Sequence, residues 1–82
     1  MILHYFYNNH SAQHIAGKKL IKDVSGLFKI EEHDLSTEDG LAEALQFNAF
    51  TEHISFALVD MNHVIVQKWD ALPTKEELKS FL

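Results

Sequence analysis

The side chains in this sequence that are best suited to chemistry are its histidines, 6 among 82 residues. His10 and His14 are four positions apart, a spacing that can present two imidazoles to one metal ion when both residues are helical. His53, next to Glu52, is a further potential ligand. The spacing therefore suggests a metal site that contains His10 and His14. The alternative is that these histidines are solvated or hydrogen-bonded to the backbone.

Ser11 and His14 are three positions apart, and a serine beside a histidine can act as a nucleophile activated by a base. No acidic residue lies close in sequence to orient the imidazole, and no glycine pattern typical of an oxyanion hole accompanies the pair. Ser11 is also a favourable N-cap for a helix that follows it. We therefore interpret Ser11 as a helix cap, and the sequence favours a protein that is not an enzyme.

The sequence contains no cysteine. This excludes thiol–disulfide exchange by the protein's own side chains, disulfide bonds, thiolate zinc sites and iron–sulfur clusters. A cysteine-free chain fits the reducing cytoplasm, and the first residues lack the basic positions of a targeting segment. We therefore expect a cytoplasmic protein.

The net charge and the apolar pattern narrow the range of partners. The 12 acidic residues against 7 basic ones give a formal charge of −5, which repels a phosphate backbone. No stretch approaches the ~20 consecutive apolar residues of a membrane span. We expect a protein as the partner, with no nucleic-acid binding and no membrane insertion, and the sequence leaves a homo-oligomer open.

Seven segments have the patterns of strands and helices. An unbroken apolar run at 2–7 is typical of a strand buried on both faces, and the imperfect alternation at 28–35 is typical of a strand nearer the sheet edge. In chain order the expected elements are a strand at 2–7, a helix after Ser11, a strand at 28–35, a helix after Ser36, strands at 54–60 and 63–69, and a helix after Thr74.

Local patterns also predict the faces and ends of these helices. The first helix should bury an apolar face made of Ile15, Ala16, Leu20, Ile21, Val24 and Leu27. Ser36 followed by Asp39 predicts a capping box for the second helix, and Thr74 with Glu77 predicts one for the last helix. The short connection at 61–62 predicts a tight hairpin between the last two strands.

Together these elements predict one α/β domain over residues 1–82 with the order β-α-β-α-β-β-α. The strand–helix–strand start requires a right-handed crossover, so the first two strands should be parallel, whereas the hairpin makes the last two antiparallel. The expected architecture is a mixed four-stranded sheet with helices on both faces.

This order of elements resembles the thioredoxin/glutaredoxin superfamily over the whole chain. The final hairpin and the closing segment 72–82, with the sequence LPTKEELKSFL, are also similar to those of small thioredoxin-like proteins. In that superfamily a C-x-x-C motif opens the first helix. When Leu20 and Ile21 are aligned with the paired apolar positions of that helix, the motif falls on Ser11, Ala12, Gln13 and His14. Both cysteines are therefore replaced, one by serine and one by histidine.

The resemblance also implies a cis-proline just before the third strand, and that position falls on Ser55. A cis bond before a non-proline residue costs ~3 kcal/mol, so we expect a trans bond at Ser55. In this fold the loop before the third strand approaches the start of the first helix, which would bring His53 towards His10 and His14. The resemblance therefore implies a metal site of His10, His14 and His53, with Glu52 as a candidate fourth ligand.

The resemblance implies a thioredoxin-like domain that has lost its redox centre. We predict a binding or scaffold protein without a cofactor, acting through the former redox-motif face of Ser11, Ala12, Gln13, His14 and Ser55. The first alternative is a histidine-based metal-binding protein or enzyme at that face. The second is a remnant glutathione-site protein, similar to the N-terminal domains of glutathione transferases, some of which use a serine near this helix start.

Overall fold

The secondary structure follows the expected order β-α-β-α-β-β-α in the computed structural model, which describes all 82 residues. No helix combines the length and the apolar character needed to cross a membrane. The elements are β1 (Ile2–Tyr7), α1 (Gln13–Val24), β2 (Lys29–Asp34), α2 (Glu38–Phe47), β3 (Ile54–Val59), β4 (Ile65–Trp69) and α3 (Lys75–Lys79).

The four strands form one mixed sheet in the order β2-β1-β3-β4. β1 pairs in parallel with β2 and antiparallel with β3, and β3 pairs antiparallel with β4. The predicted mixed four-stranded sheet is confirmed, and so are its parallel first pair and its antiparallel last pair. The central strands β1 and β3 are also the most apolar and the most deeply buried, because helices cover both of their faces.

Helices pack on both faces of the sheet, over two separate cores. Successive side chains of a strand point to opposite faces, so Tyr5 and Phe6 of β1 belong to different cores. The larger core, under α1 and α3, contains Leu3, Tyr5, Leu20, Ile21, Val24, Phe28, Ile54, Phe56, Leu58 and Leu78. The smaller core, under α2, contains Phe6, Ala44, Ala49 and Ala57.

The buried face of α1 differs from the predicted one. Ile15 is 78% exposed, and Ala16 and Leu27 are exposed as well. Ile15 precedes the buried Gly17 by two positions, about 200° around a helix of 3.6 residues per turn, so it points away from the sheet. Leu27 lies beyond the end of α1. The residues that α1 buries are Gly17, Leu20, Ile21 and Val24.

The second helix begins one residue later than predicted. Its cap is Thr37, whose hydroxyl accepts a hydrogen bond from the N–H of Gly40 at 3.0 Å. The predicted box at Ser36 is wrong because the Asp34 carboxylate accepts both the N–H and the O–H of Ser36, at 2.9 and 2.7 Å. These bonds also lower the pKa of Asp34. The capping box predicted for the last helix is confirmed at the start of α3.

The hairpin between β3 and β4 has a longer loop than predicted. The Asp60 carboxylate accepts hydrogen bonds from the N–H groups of Asn62 and Val64, at 2.8 and 3.0 Å. His63 adopts the left-handed conformation with a φ of 62°. These two hydrogen bonds fix the loop between the strands, so β4 begins at Ile65 instead of His63.

Gly40→Ala should destabilise the fold by roughly 1–3 kcal/mol, although alanine is the better helix former. Gly40 is buried in the first turn of α2, where an added Cβ would overlap the backbone carbonyl of Asp34 at the end of β2. Gly26→Ala is the matched control, because nothing lies within 4 Å of a Cβ at that position. Urea unfolding should show this control to be neutral or up to about 1 kcal/mol more stable. Equal effects of the two substitutions would contradict the close approach at Gly40.

Candidate functional site

The residues aligned with the redox motif lie between the end of β1 and the start of α1. The Ser11 Oγ accepts a hydrogen bond from the backbone N–H of Gln13 at 3.2 Å and lies 3.0 Å from Nδ1 of His53. The backbone N–H of Asn8 donates to the carbonyl oxygen of His53 at 2.8 Å. These contacts hold the start of α1 against the loop before β3.

Ser11 supports the helix from one position before the N-cap. α1 begins at Gln13, and its N-cap residue is Ala12, which makes no side-chain cap bond. The Ser11 hydroxyl nevertheless satisfies the N–H of Gln13, one of the donors that a helix start leaves without an internal partner. The imidazole that Ser11 contacts belongs to His53, whereas the sequence had paired Ser11 with His14. No carboxylate is hydrogen-bonded to His53 to orient it as a base.

His14 is held by two tyrosines of β1. Its Nδ1 lies 2.7 Å from the Tyr5 hydroxyl, and its ring stacks on Tyr7 with the ring centres 4.1 Å apart. Burial and the nearby Glu32 raise the pKa of Tyr5, so its hydroxyl stays protonated and can act as the hydrogen-bond donor to His14. A Cβ at Gly17 would lie 2.7 Å from the tyrosine Cζ, so only glycine lets α1 pass over this ring.

Ser55 does not share the surface of residues 11–14. Its side chain is 1% exposed and lies on the side of the sheet covered by α2, where its hydroxyl donates to the carbonyl of Ala49 at 3.1 Å. The chain contains no cis peptide bond, which confirms the expected trans bond at Ser55. The hydroxyl therefore joins β3 to the segment after α2.

The three histidines proposed as metal ligands have separate surroundings. His14 is bonded to Tyr5, His53 contacts Ser11, and the exposed His10 donates its backbone N–H to the side chain of Asn8 at 3.0 Å. The chain has one set of three potential ligands whose ligand atoms all lie within 4.8 Å of one another, and it consists of other residues. A metal site at His10, His14 and His53 stays a prediction that this arrangement does not favour.

The set that does converge is His4, His33 and Glu43, which we call the His4 cluster. One residue comes from each of β1, β2 and α2. Nδ1 of His4 lies 2.9 Å from Nε2 of His33 and 3.5 Å from a carboxylate oxygen of Glu31. His4 is 6% exposed, although an imidazole normally prefers contact with water.

Aromatic rings and a cleft surround the His4 cluster. The His4 ring packs on Phe47 with ring centres 4.5 Å apart, and the His33 ring packs on Phe6 at 4.8 Å. Burial lowers the pKa of His4 below its usual 6.5, with Glu31 acting in the opposite direction, so His4 is neutral at pH 7. A cleft of about 580 Å³ opens beside it, with His4, Glu31, Glu43, Phe47 and His63 among its lining residues.

No family model, curated protein or solved structure matches this chain. Its function therefore has to be inferred from its own side chains. They offer two places: the beginning of α1, which the sequence indicated, and the His4 cluster, which it did not.

One sequence signal could have revealed the His4 cluster. His4 is the only strongly polar residue in the apolar run 2–7, and a buried polar group needs a partner. The partner could not be found from the sequence, because His33 is 29 residues away and meets His4 only through the parallel register of β1 and β2. Glu43 requires in addition the position of α2 on the sheet.

Tyr5→Phe should lower the free energy of unfolding by about 1 kcal/mol, because Nδ1 of His14 loses its donor while the ring still fills the core. Tyr7→Phe is the matched control, since Tyr7 contacts His14 through its ring and keeps that contact without its hydroxyl. Chemical denaturation of the two variants measures the difference. Equal stabilities would show that the bond between Tyr5 and His14 contributes nothing to the fold.

The free energy of unfolding should decrease as the pH falls below 6.5, the usual pKa of a histidine. The pKa of His4 is lower in the folded protein, so the unfolded chain binds more protons between the two values. The free energy of unfolding therefore keeps its full value above the pKa that His4 has in the unfolded chain. It decreases as the pH falls through the lower pKa that His4 has in the folded protein. Urea unfolding at about pH 7.5 and about pH 5.5, with a chelator present, measures this change.

Two variants assign this pH dependence to one residue. His4→Leu should weaken it, because the buried imidazole is gone, whereas His10→Gln should leave it unchanged, because His10 is exposed. A pH dependence that survives His4→Leu undiminished would mean that another group is responsible.

Proposed function

We propose that this protein is a thioredoxin-like domain without a redox centre that binds another protein through the beginning of its first helix. The order of the elements and the mixed sheet with helices on both faces support the resemblance. The absence of cysteine excludes a dithiol mechanism. With the motif positions occupied by Ser11 and His14, this end of the domain can bind a partner but cannot exchange disulfides with it.

The proposed binding surface, which we call the α1-start surface, combines two segments of the chain. The contact of 3.0 Å between Ser11 and His53 joins them, and it is the observation that carries the proposal. Because both segments are fixed to each other, a partner meets one ordered surface and does not have to order a loop first. The exposed members of this surface are His10, Ala12, Gln13, Ile15, Glu52 and His53.

The composition of the α1-start surface suits a protein partner. Ile15 is 78% exposed, and Ala12, three positions earlier, lies on the same side of the helix. Polar side chains of His10, Gln13 and His53 are exposed in the same segments. Protein interfaces combine apolar and polar contacts, and these segments offer both.

The other functions considered have less support. Ser11 already accepts a hydrogen bond from Gln13, and His53 has no acidic partner, so a nucleophilic serine lacks its usual activation. A remnant glutathione site gains nothing from Ser55, whose hydroxyl is bonded to Ala49 inside the fold. A binding function does not require Ser11 or Ser55 to be reactive.

Ile15→Gln should reduce binding of the partner at least about tenfold, because it removes the large exposed apolar side chain of the α1-start surface while leaving the buried face of α1 intact. The tagged domain is used to capture proteins from an extract of its own cells, and captured proteins are quantified by mass spectrometry. Leu45→Gln is the matched control, since Leu45 is also a large apolar residue on a helix and is 69% exposed.

A partner that meets the proposal is recovered by the native domain and by Leu45→Gln and is depleted with Ile15→Gln. His14 is left unchanged in this experiment because its bond to Tyr5 would confuse binding with stability. Capture that is the same with Ile15→Gln, or lost with Leu45→Gln alone, would place binding outside the α1-start surface.

A further inference from the structure

The His4 cluster lies under α2, away from the α1-start surface. It brings two imidazoles and one carboxylate together from three different elements, with all ligand atoms within 4.8 Å of one another. We propose that His4, His33 and Glu43 form a binding site for one divalent transition-metal ion of the zinc type. This site is independent of the binding function proposed for the α1-start surface.

The chemistry of the three side chains selects this class of metal. Imidazole nitrogen and carboxylate oxygen are ligands that zinc, cobalt and nickel accept, and two histidines with one glutamate form an established zinc ligand set. Calcium and magnesium prefer sites made of oxygen atoms only, so two imidazoles disfavour them. The Glu31 carboxylate, 3.5 Å from Nδ1 of His4, adds negative charge beside the ion.

The distance between the two imidazoles is close to what a metal requires. Nδ1 of His4 and Nε2 of His33 are 2.9 Å apart and share one hydrogen-bonded proton. Two nitrogens bound to a tetrahedral zinc ion at about 2.0–2.1 Å lie about 3.3 Å apart, so the nitrogens need to separate by about 0.4 Å. The two rings, whose nitrogens now face each other in the hydrogen bond, also need to turn so that both lone pairs point at the ion. The ring that donates the shared proton carries it instead on its other nitrogen, and no proton is lost.

The surroundings hold the ligands in place. The rings of His4 and His33 pack on Phe47 and Phe6, which keeps both imidazoles beside each other on this face of the sheet. Glu43 approaches from α2, so a bound ion would join this helix to β1 and β2. Three protein ligands leave one tetrahedral position for a water molecule, and the adjacent cleft is lined by His4, Glu31 and Glu43.

The test uses the full chain after removal of metal with a chelator. Zinc, added at about a hundred times its Kd, should raise the melting temperature by about 10 °C or more, and magnesium should leave it unchanged. Cobalt should bind with a stoichiometry of one and produce the visible absorption bands of a four-coordinate nitrogen and oxygen site. Both readouts are independent of any activity.

Matched variants locate the site. His33→Gln and Glu43→Gln should each abolish the cobalt bands and the zinc-dependent rise in melting temperature. Circular dichroism checks that each variant is folded. Two separate variants are used so that the loss of a ligand can be distinguished from a failure to fold. The control is the double variant His10→Gln with His53→Gln, which removes two ligands of the site predicted from the sequence and should bind cobalt as the native chain does.

Three results would overturn the proposal. The first is a native chain whose melting temperature responds to neither zinc nor cobalt. The second is cobalt binding that survives in folded His33→Gln and Glu43→Gln. The third is cobalt binding that disappears in the His10 and His53 double variant, which would assign the metal to the beginning of α1.

Discussion

The enclosure of β1 in the middle of the sheet is the constraint on which most of this structure depends. Its backbone is paired with β2 on one side and with β3 on the other, and four of its six residues are buried. A strand in this position sends alternate side chains into two cores. Tyr5 therefore lies under α1 and His4 lies under α2, and each of them meets a histidine on its own face of the sheet.

Both contacts follow from the energetic cost of burying a polar group without a partner. The hydroxyl of Tyr5 is paired with His14, and the imidazole of His4 is paired with His33, and no buried side-chain nitrogen or oxygen lacks a hydrogen bond. These partners restrict the helices as well as the side chains. α1 can pass over Tyr5 only because residue 17 is glycine. At the surface, the contact between Ser11 and His53 also holds the start of α1.

Elements that depend on neighbouring residues could be predicted, whereas details that depend on competing partners could not. The apolar run at 2–7 and the box of Thr74 and Glu77 act locally, and both appear as expected. The cap of α2 moved from Ser36 to Thr37 because the Asp34 carboxylate competes for Ser36, and β4 is shortened because Asp60 organises the preceding loop. In each case a carboxylate at the end of a strand, or directly after it, accepts hydrogen bonds from groups that a local pattern assigned to another element.

The sequence by itself determined the α/β class, the order of seven elements and the absence of thiol chemistry, because composition and short-range apolar patterns are sufficient for these. Only the tertiary structure decided which histidines meet. His4 and His33 are 29 residues apart in the chain, and Ser11 and His53 are 42 apart. Contacts of this kind depend on strand register and on the fit of a helix to the sheet, and a slip of one residue would turn His4 to the opposite face. Local patterns predict that a strand exists, but its register is set by the packing of the whole domain.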